Sequence, residues 1–392
     1  IQFVMIKHTM ERKEINSWND IENIKPELLR GIYAYGFENP SPIQRKAILP
    51  ALEKKDLIAQ AQSGTGKTGA FTISALQLVN TDEKRTQILI MSPTRELSTQ
   101  SFTVLNRMGS HMDNLKTHLL IGGNSIDADT IALKEQPHII VGCPGRVHDM
   151  IRRNKINASN IDLLIIDEAD EMLSSGFKEQ VYNIFQCLKS SVQVALFSAT
   201  LPHEVQELSS KFMRDPEKIL VKSEALTLEG IKQYYVAVES DAIKYDTLKD
   251  LYNCISAAQS IIYCNSIRRV EDLANAMIED GFAVSYIHGK MTPEERTESF
   301  QGFKTGATRV LISSNLTARG IDVQQVSTVI NFDIPRDVHS YLHRIGRSGR
   351  WGRKGMGINF VSRFDIKMLK EIEGFYSTQI EEMPSSVVEY GK

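Results

Sequence analysis

Ten short apolar runs, separated by helical patterns, are the feature that most restricts the fold of this chain. They are residues 56–60, 87–91, 138–142, 163–167, 193–198, 260–264, 283–287, 309–313, 328–332 and 357–361. Each run is continuously apolar rather than alternating, which is typical of parallel strands that helices cover on both faces. The repeats of strand, helix and strand therefore predict an α/β fold of doubly wound parallel sheets.

The gap between the fifth and sixth runs predicts two domains. A chain of 392 residues is long enough for two, and the polar stretch KSEALTLEG interrupts the strand pattern. We predict an N-terminal domain over residues 15–221, a linker over 222–230 and a C-terminal domain over 231–392. Two such domains leave a cleft that suits ligand binding and closure motions.

Composition limits the partners and the compartment. Hydrophobic residues make up 42% and charged residues 24% of the chain, and no apolar run approaches the length of a membrane span. The net charge of −2 excludes a wholly basic surface, so nucleic acid would need a local positive groove. The four cysteines form no CxxC pair, which favours buried, reduced thiols. We expect a cytoplasmic protein, with the nucleus as the alternative.

The segment AQSGTGKT, residues 61–68, has the pattern of a phosphate-binding loop between a strand and a helix, with Ala61 in place of the usual first glycine. Its candidate nucleotide ligands are Ser63, Gly64, Thr65, Gly66, Lys67 and Thr68. The glycines let the backbone approach phosphate oxygens. Lys67 would reach the β- and γ-phosphates, and Thr68 would bind Mg²⁺. The alternative is an incidental glycine-rich turn.

The segment LLIIDEAD ends an apolar run in carboxylates. At the carboxyl end of a strand, Asp167 would hold Mg²⁺ and Glu168 would orient or deprotonate an attacking water. The alternative is a solvated helix start. We expect the phosphate loop on a neighbouring strand, so the two segments together predict hydrolysis of a nucleoside triphosphate with ATP and Mg²⁺ as cofactors.

Six segments, in order and at consistent spacing, resemble the DEAD-box RNA helicase family. They are GFENPSPIQ at 36–44, PTREL at 93–97, DEAD at 167–170, SAT at 198–200, ARGID at 318–322 and HRIGRSGR at 343–350. The resemblance implies two RecA-like domains. Within the family, the chain is most similar to the branch that acts in translation initiation and in exon-junction complexes.

The resemblance also implies roles for residues around the nucleotide. Phe37 and Gln44 would recognise adenine, and an amide offers both a donor and an acceptor. Asp322 would meet the ribose. Arg347 and Arg350 would act as arginine fingers on the γ-phosphate. The spacing of three between Arg344, Arg347 and Arg350 itself predicts that they fan across part of one surface, where guanidinium groups suit phosphate oxygens. The alternative is a solvated basic helix.

Two further sets of residues are implied. The set that couples hydrolysis to RNA binding is Asp170, Ser198, Thr200 and His343. The RNA contacts are Pro93, Thr94, Arg95, Gly122, Gly123, Pro144, Gly145, Arg146, Asn265, Ser313, Arg319 and Gly320. Backbone N–H groups and arginines bind phosphates without reading bases, so binding would be independent of sequence, and contacts to the 2′-OH would select RNA. The glycines alone could also be turns.

The chain departs from the family pattern at four positions. Cys143 stands where the family has Thr, Lys290 where Asp is usual, Pro293 where Gln is usual and Asn315 where Asp is usual. These positions spare the phosphate motifs, which suggests intact ATP binding with altered coupling to RNA.

The resemblance implies an ATP-dependent RNA helicase with RNA-stimulated ATP hydrolysis, most readily in translation initiation. The alternative is an ATP-dependent RNA clamp with slow turnover, of the exon-junction or RNA-processing type. A DNA translocase or a metabolic kinase leaves the arginines of the second domain unexplained. We expect a monomer that joins complexes with helical scaffold or regulatory proteins and has no membrane partner.

Overall fold

A computed structural model describes residues 14–61, 64–174, 176–220, 231–254, 259–314, 326–346 and 355–384. The chain divides into two compact units, Ile1–Val221 and Lys222–Lys392. Several predicted features lie outside the described residues: the linker 222–230, Ser63, Asn315, Arg319, Gly320, Asp322, Arg347 and Arg350.

The first unit is built on one seven-stranded parallel sheet with the order β3-β4-β2-β5-β6-β1-β7. Its strands are β1 (Leu57–Gln60), β2 (Ile88–Met91), β3 (Thr117–Leu120), β4 (Ile139–Gly142), β5 (Leu163–Asp167), β6 (Gln193–Ser198) and β7 (Glu217–Leu220). Its helices are α1 (Pro26–Tyr35), α2 (Pro42–Leu52), α3 (Lys67–Leu78), α4 (Arg95–Met108), α5 (Ile126–Lys134), α6 (Pro144–Arg152), α7 (Ala169–Ser174), α8 (Lys178–Cys187) and α9 (His203–Phe212).

The second unit repeats this architecture with the strand order β10-β11-β9-β12-β13-β8-β14, again parallel. Its strands are β8 (Ile231–Ala237), β9 (Ser260–Cys264), β10 (Val284–Ile287), β11 (Val310–Ser314), β12 (Thr328–Asn331), β13 (Gly355–Val361) and β14 (Glu381–Glu382). Its helices are α10 (Lys244–Cys254), α11 (Ile267–Glu279), α12 (Pro293–Lys304), α13 (Val338–Ile345) and α14 (Ile366–Tyr376).

The predicted fold class is confirmed, because each apolar run forms a strand and each sheet is parallel. The sequence did not predict β3, β7, β8 and β14, each of which has residues that are at least partly exposed. A strand that is only partly covered carries polar residues, so it lacks the continuous apolar signal of an inner strand.

Both faces of the first sheet are covered, as the apolar runs require. In β2, Ile88 and Ile90 pack into one buried cluster, and Leu89 and Met91 pack into another on the opposite face. Successive side chains of a strand point to opposite faces, so each strand residue needs an apolar side chain. No helix among the described residues is long and apolar enough to cross a membrane.

The expectation of uniformly buried cysteines is met by Cys264 alone among the cysteines whose side chains the structure describes. Cys264 is buried and Cys143 is half-buried, but Cys187 is exposed at the end of α8. Its neighbours Ile184 and Phe185 are buried, so the apolar face of α8 ends before the cysteine.

Gly31 in α1 and Gly374 in α14 form a matched pair for testing the packing of helices. A Cβ atom at Gly31 would overlap the carbonyl oxygen of Met108, whereas nothing lies within 4 Å of one at Gly374. We expect Gly31→Ala to lower the free energy of unfolding by about 1–3 kcal/mol, because α1 must move away from α4. Gly374→Ala should raise it by roughly 0.5–1 kcal/mol. Denaturant titrations followed by circular dichroism measure both; equal effects would contradict the close approach.

Candidate nucleotide site and RNA surface

The phosphate loop joins β1 to α3 through two glycines in left-handed conformation. Gly64 has a φ of 85°, and Gly66, the N-cap of α3, has a φ of 104°. Such values cost glycine little and other residues much more. The first N–H groups of a helix have no acceptor within the helix and favour an anion. The twelve-residue α3 is thus placed to bind phosphate beyond the end of β1.

The carboxylates at the end of β5 lie at the same edge of the sheet as this loop. Asp167, the last residue of β5, is in register with Phe197, and Gln60 of β1 is in register with Ser198. The expectation that the two motifs occupy neighbouring strands was wrong, because β6 lies between β1 and β5. Long side chains bridge this gap.

Lys67 and Glu168 make that bridge as a buried ion pair. The Lys67 Nζ lies 3.2 Å from Glu168 Oε1, and the two side chains are only 5% and 7% exposed. Glu168 has a φ of 50°, a left-handed value that is strained for a residue with a side chain. Such strain is common at functional sites. Here the strained residue is Glu168 itself, whose carboxylate points at Lys67.

Asp167 is a buried carboxylate beside a second one, Glu168. Burial, together with the neighbouring Glu168 carboxylate, raises the pKa of Asp167 to about 7, although the Lys67 ammonium opposes this shift. A bound cation would reverse the shift, since opposite charge favours the ionised carboxylate. Asp167 and the Thr68 hydroxyl are oxygen donors of the kind that Mg²⁺ prefers. The residues present therefore fit a magnesium ion.

Gln44 connects α2 to the phosphate loop. Its Oε1 accepts a hydrogen bond from the Ser41 N–H at 2.7 Å, and its Nε2 donates to the carbonyl oxygen of Gly66 at 3.2 Å. The side chain is buried. A Cβ atom on Gly66 would lie 2.9 Å from Gln44 Nε2, so the glycine also permits this close approach. Gln44 thus holds the loop whether or not it also contacts a base.

Of the two aromatic residues near this region, Trp18 is a core residue. Trp18 is fully buried, and its Nε1 donates to the carbonyl oxygen of Phe37 at 3.0 Å. The two rings are stacked, with their centroids 6.4 Å apart. Phe37 is half-buried and remains a candidate for stacking on adenine.

The SAT segment fixes Asp170. The Thr200 hydroxyl and N–H both donate to Asp170 Oδ2, at 2.6 and 3.0 Å. Ser198 contacts the backbone instead, because its Oγ accepts from the Asp170 N–H at 3.2 Å and donates to the Thr200 carbonyl oxygen at 2.7 Å. Thr200 is therefore the hydroxyl that reaches the carboxylate. The proposed partner of Asp170, His343, lies in the last turn of α13.

The RNA residues predicted in the first unit follow three adjacent strands, in loops or in the first turns of α4 and α6. Residues 93–95 follow β2, residues 122–123 follow β3 and residues 144–146 follow β4, and these strands are neighbours in the sheet. Pro93 is buried, and the Thr94 Oγ1 accepts from the Leu97 N–H as the N-cap of α4. Pro144 and Gly145 form the first turn of α6.

Arg95 packs against the two glycines after β3. A Cβ atom on Gly123 would lie 2.6 to 2.9 Å from the Arg95 guanidinium, and one on Gly122 would lie 3.2 Å from it. Gly123 also has a φ of 93°. Position 123 therefore requires glycine for two reasons: the left-handed φ of the turn, and the close approach of the Arg95 guanidinium. The Cys143 Sγ, where the family has a hydroxyl, lies 3.4 Å from Ser98 Oγ.

In the second unit, Asn265 is held by three hydrogen bonds after β9. Its N–H donates to Asp333 Oδ2 at 2.9 Å, its Nδ2 donates to the Ile334 carbonyl oxygen at 2.7 Å and its Oδ1 accepts from Arg344 Nη2 at 2.6 Å. Ser313, near the end of β11, is buried and its Oγ donates to the Ser314 carbonyl oxygen.

The spacing of the arginines predicted that Arg344 lies on an exposed surface, and this prediction was wrong. Arg344 is 2% exposed, donates to Asn331 Oδ1 at 3.0 Å and to the Asp333 carbonyl oxygen at 2.6 Å, and lies over the Tyr263 ring. The helix α13 turns this position towards the sheet, where Arg344 ties the end of β12 to the loop after β9.

The sequence reasoning missed Asp333. Its carboxylate accepts from Asn265 and pairs with Arg269 at 2.7 Å and with Lys244 at 3.2 Å. The available signal was its place just after an apolar strand, much like the position that Asp167 has at the end of β5. Asp333 here organises a loop rather than a metal.

The chain matches two families in succession. Residues 41–208 match the family described as DEAD/DEAH box helicase, and residues 243–352 match the family described as helicase conserved C-terminal domain.

Curated relatives match nearly the whole chain. The protein named ATP-dependent RNA helicase eIF4A from Neosartorya fischeri is 54% identical over 376 residues, which cover 96% of this chain and 94% of the relative. The protein of the same name from Schizosaccharomyces pombe is 52% identical over 375 residues, covering 96% and 95%.

Solved structures share the fold. Saccharomyces cerevisiae Dbp5 bound to RNA and ADP BeF3 has a TM-score of 0.86 at 34% identity, covering 94% of this chain and 95% of that chain. Mss116p bound to ssRNA and AMP-PNP has a TM-score of 0.84 at 26% identity, covering 96% and 81%. A point variant of Saccharomyces cerevisiae Dbp5 bound to a point variant of Gle1 and to IP6 has a TM-score of 0.74 at 32% identity, covering 95% of each chain.

Removing the Gln44 side chain should weaken ATP binding. Gln44→Ala deletes the bonds to Ser41 and Gly66, and we expect the Kd for ATP to rise about tenfold, or about 1.4 kcal/mol. Gln77→Ala is the control, because Gln77 also makes two hydrogen bonds to backbone groups but near the opposite end of α3. Fluorescent-nucleotide titrations compare the two; an equal loss in both variants would show that the effect is not local.

Gly123→Ala should weaken RNA binding. The added methyl group must displace Arg95, and we expect the Kd for single-stranded RNA to rise at least about tenfold. Gly281→Ala is the control, because Gly281 has a similar φ of 84° but nothing within 4 Å of a Cβ atom. Fluorescence anisotropy with labelled RNA measures both variants. An unchanged Kd for Gly123→Ala would mean that Arg95 makes no contact with RNA.

Proposed function

The chain belongs to the DEAD/DEAH box helicase family, and from that premise we propose that it couples ATP hydrolysis to local unwinding of RNA during translation initiation. It is an ATP-dependent RNA helicase, and its relatives over nearly the full length carry the name eIF4A. The structural observation that supports the chemistry most directly is the buried Lys67–Glu168 pair beside Asp167.

The pair suggests how ATP organises the site. With the γ-phosphate present, Lys67 turns from Glu168 to the β- and γ-phosphate oxygens. The Glu168 carboxylate and the phosphates are all anions, and they compete for the one Lys67 ammonium. Glu168 then accepts a hydrogen bond from the attacking water and takes its proton as the bond to the γ-phosphorus forms. The bond to the β-phosphate oxygen breaks, and ADP and phosphate are the products. Mg²⁺, held by Asp167 and Thr68, would supply positive charge to the phosphate oxygens.

The proposed adenosine contacts come from both halves of the chain. Phe37 and Gln44 would meet the base, and Asp322 would meet the ribose. Arg347 and Arg350 would add positive charge to the γ-phosphate when the two units close on ATP. Since an arginine finger acts only in the closed state, hydrolysis would depend on closure.

RNA would favour that closure by binding both units along its backbone. The residues that follow β2, β3 and β4 in the first unit, together with Asn265, Ser313, Arg319 and Gly320, would each hold phosphates, independently of the base sequence. Asp170 with Thr200, and His343 in the second unit, would link RNA binding to the ATP site. Bending one strand separates a short duplex, and hydrolysis reopens the units.

Partners follow from the same cycle. A protein that holds both units would set the rate of closure, so we propose helical scaffold or regulatory partners for a monomer in the cytoplasm. The related Dbp5 has been solved with Gle1, which is consistent with this kind of regulation.

Steady-state ATP hydrolysis with and without single-stranded RNA tests the proposal. We expect strong stimulation by RNA, and we expect Glu168→Gln to lower the stimulated rate about 10²–10⁴-fold, because the general base is lost while the shape is kept. The control Glu179→Gln makes the same change at an exposed position of α8 and should leave the rate unchanged.

Two results would overturn this function. Hydrolysis by Glu168→Gln at the parent rate would remove Glu168 from the chemistry. Tight, ATP-dependent RNA binding with little turnover in the parent protein would instead identify an RNA clamp.

A further inference from the structure

A buried carboxylate joins the loops of the first unit that are proposed to bind RNA. Asp129 on α5 is 2% exposed, and its Oδ2 accepts a hydrogen bond from Arg146. Its Oδ1 lies 3.1 Å from His118 Nε2 of β3. Arg146 also donates through Nη2 to the carbonyl oxygen of Asn124 at 2.8 Å. One side chain of α5 thus contacts β3 and the start of α6, and through Arg146 it reaches the loop 122–124.

The burial of Asp129 calls for an explanation, since taking a charge out of water is costly unless it is paired and hydrogen-bonded. Here both oxygens have a partner, and the Arg146 side chain is itself only 10% exposed. Two residues earlier in α5, Asp127 is exposed. The carboxylate at 129 therefore serves a contact inside the unit rather than solubility.

We propose that Asp129 is a positioning residue for the RNA-phosphate surface of the first unit. The proposal rests on the proposed role of Arg146 as an RNA contact. A guanidinium has five N–H donors in a rigid fork, so Arg146 can bind Asp129 and Asn124 and still offer an edge to a phosphate. Held in one rotamer beforehand, it loses less side-chain freedom when RNA binds.

The same contact fixes a second cation. Arg146 holds the Asn124 carbonyl oxygen, Asn124 follows Gly122 and Gly123, and the Arg95 guanidinium packs on those glycines. A shift of the loop 122–124 would therefore move Arg95 as well. Asp129 itself does not meet a bound nucleic acid, because its carboxylate is buried beneath Arg146.

The test compares Asp129→Asn with the control Asp127→Asn. Asparagine keeps the shape of the side chain but removes the charge that holds Arg146. We expect the Kd for labelled single-stranded RNA, measured with a non-hydrolysable ATP analogue, to rise about tenfold for Asp129→Asn and to stay within about twofold for Asp127→Asn. In the ATPase assay, the KM for RNA should rise by a similar factor, while kcat at saturating RNA changes by less than about twofold.

A double-mutant cycle with Arg146→Gln shows whether Asp129 acts through Arg146. We expect the double variant to bind RNA within about twofold of Arg146→Gln alone, because the pair works as a unit. The dependence of log Kd on log salt should also become shallower by about 0.7 in Asp129→Asn, the value for one phosphate contact on a single strand.

The proposal would be overturned if the increases in Kd of the two single variants multiply in the double variant. An unchanged Kd for a folded Asp129→Asn would overturn it as well. If Asp129→Asn lowers the unfolding midpoint, Asp129→Glu is the second test, because it keeps the charge. A stable Asp129→Glu must bind RNA with the parent affinity, and a stable variant that does not also overturns the proposal. ATP hydrolysis by the parent protein distinguishes failure of the proposed function from failure of the positioning role of Asp129. No stimulation by RNA in the parent would remove the proposed function, whereas stimulation that Asp129→Asn retains at the parent KM would remove only the positioning role.

Discussion

The parallel register of the two sheets is the constraint on which the rest of the structure depends. When every strand runs in the same direction, all carboxyl ends meet at one edge, and the loops that follow them become neighbours. In the first unit this edge brings together the phosphate loop, the carboxylates after β5 and the hydroxyls after β6. Segments more than a hundred residues apart in the chain are joined there, as the contact between Lys67 and Glu168 shows.

Electrostatics then decides what this edge can hold. Asp167, Glu168 and Asp170 are buried within four residues of each other, and Lys67 is the cation that pairs with Glu168. Burial and the neighbouring Glu168 carboxylate raise the pKa of Asp167, although Lys67 opposes the shift. On the proposed function, a magnesium nucleotide would bring both a metal and a polyphosphate, so it would satisfy the Asp167 carboxylate and occupy Lys67 in one event. The strained backbone of Glu168 orients a side chain that, on the proposed function, would then lie beside the reacting phosphate.

Local signals and distant contacts differ in how far the sequence predicts them. Most inner strands and the phosphate loop could be predicted, because burial on two faces and a left-handed glycine turn leave marks within a few residues. The inner strand β8 could not, because several of its residues are partly exposed. The partly covered strands β3 and β7 left no such mark. The place of β6 between β1 and β5 could not be read from the sequence either, since strand order depends on crossover connections. Asp129 and Arg344 were missed or misplaced because their partners lie on other strands, helices and loops, which the fold brings together but no local pattern marks.

The departures from the family pattern in the second unit can now be separated by their physical cost. Pro293 opens α12 as its first residue, where the missing N–H is not needed and the fixed φ suits a helix. The preceding Thr292 caps this helix, since its Oγ1 accepts from the Glu295 N–H and its own N–H donates to Glu295 Oε2 at 2.7 Å. The proline thus stabilises the local fold. Lys290, by contrast, is exposed in the loop that follows β10, at the edge where the RNA loops of this unit are proposed. A cation in place of the family's acidic residue changes the field that a phosphate meets, and altered coupling to RNA is therefore better sought at Lys290 than at Pro293.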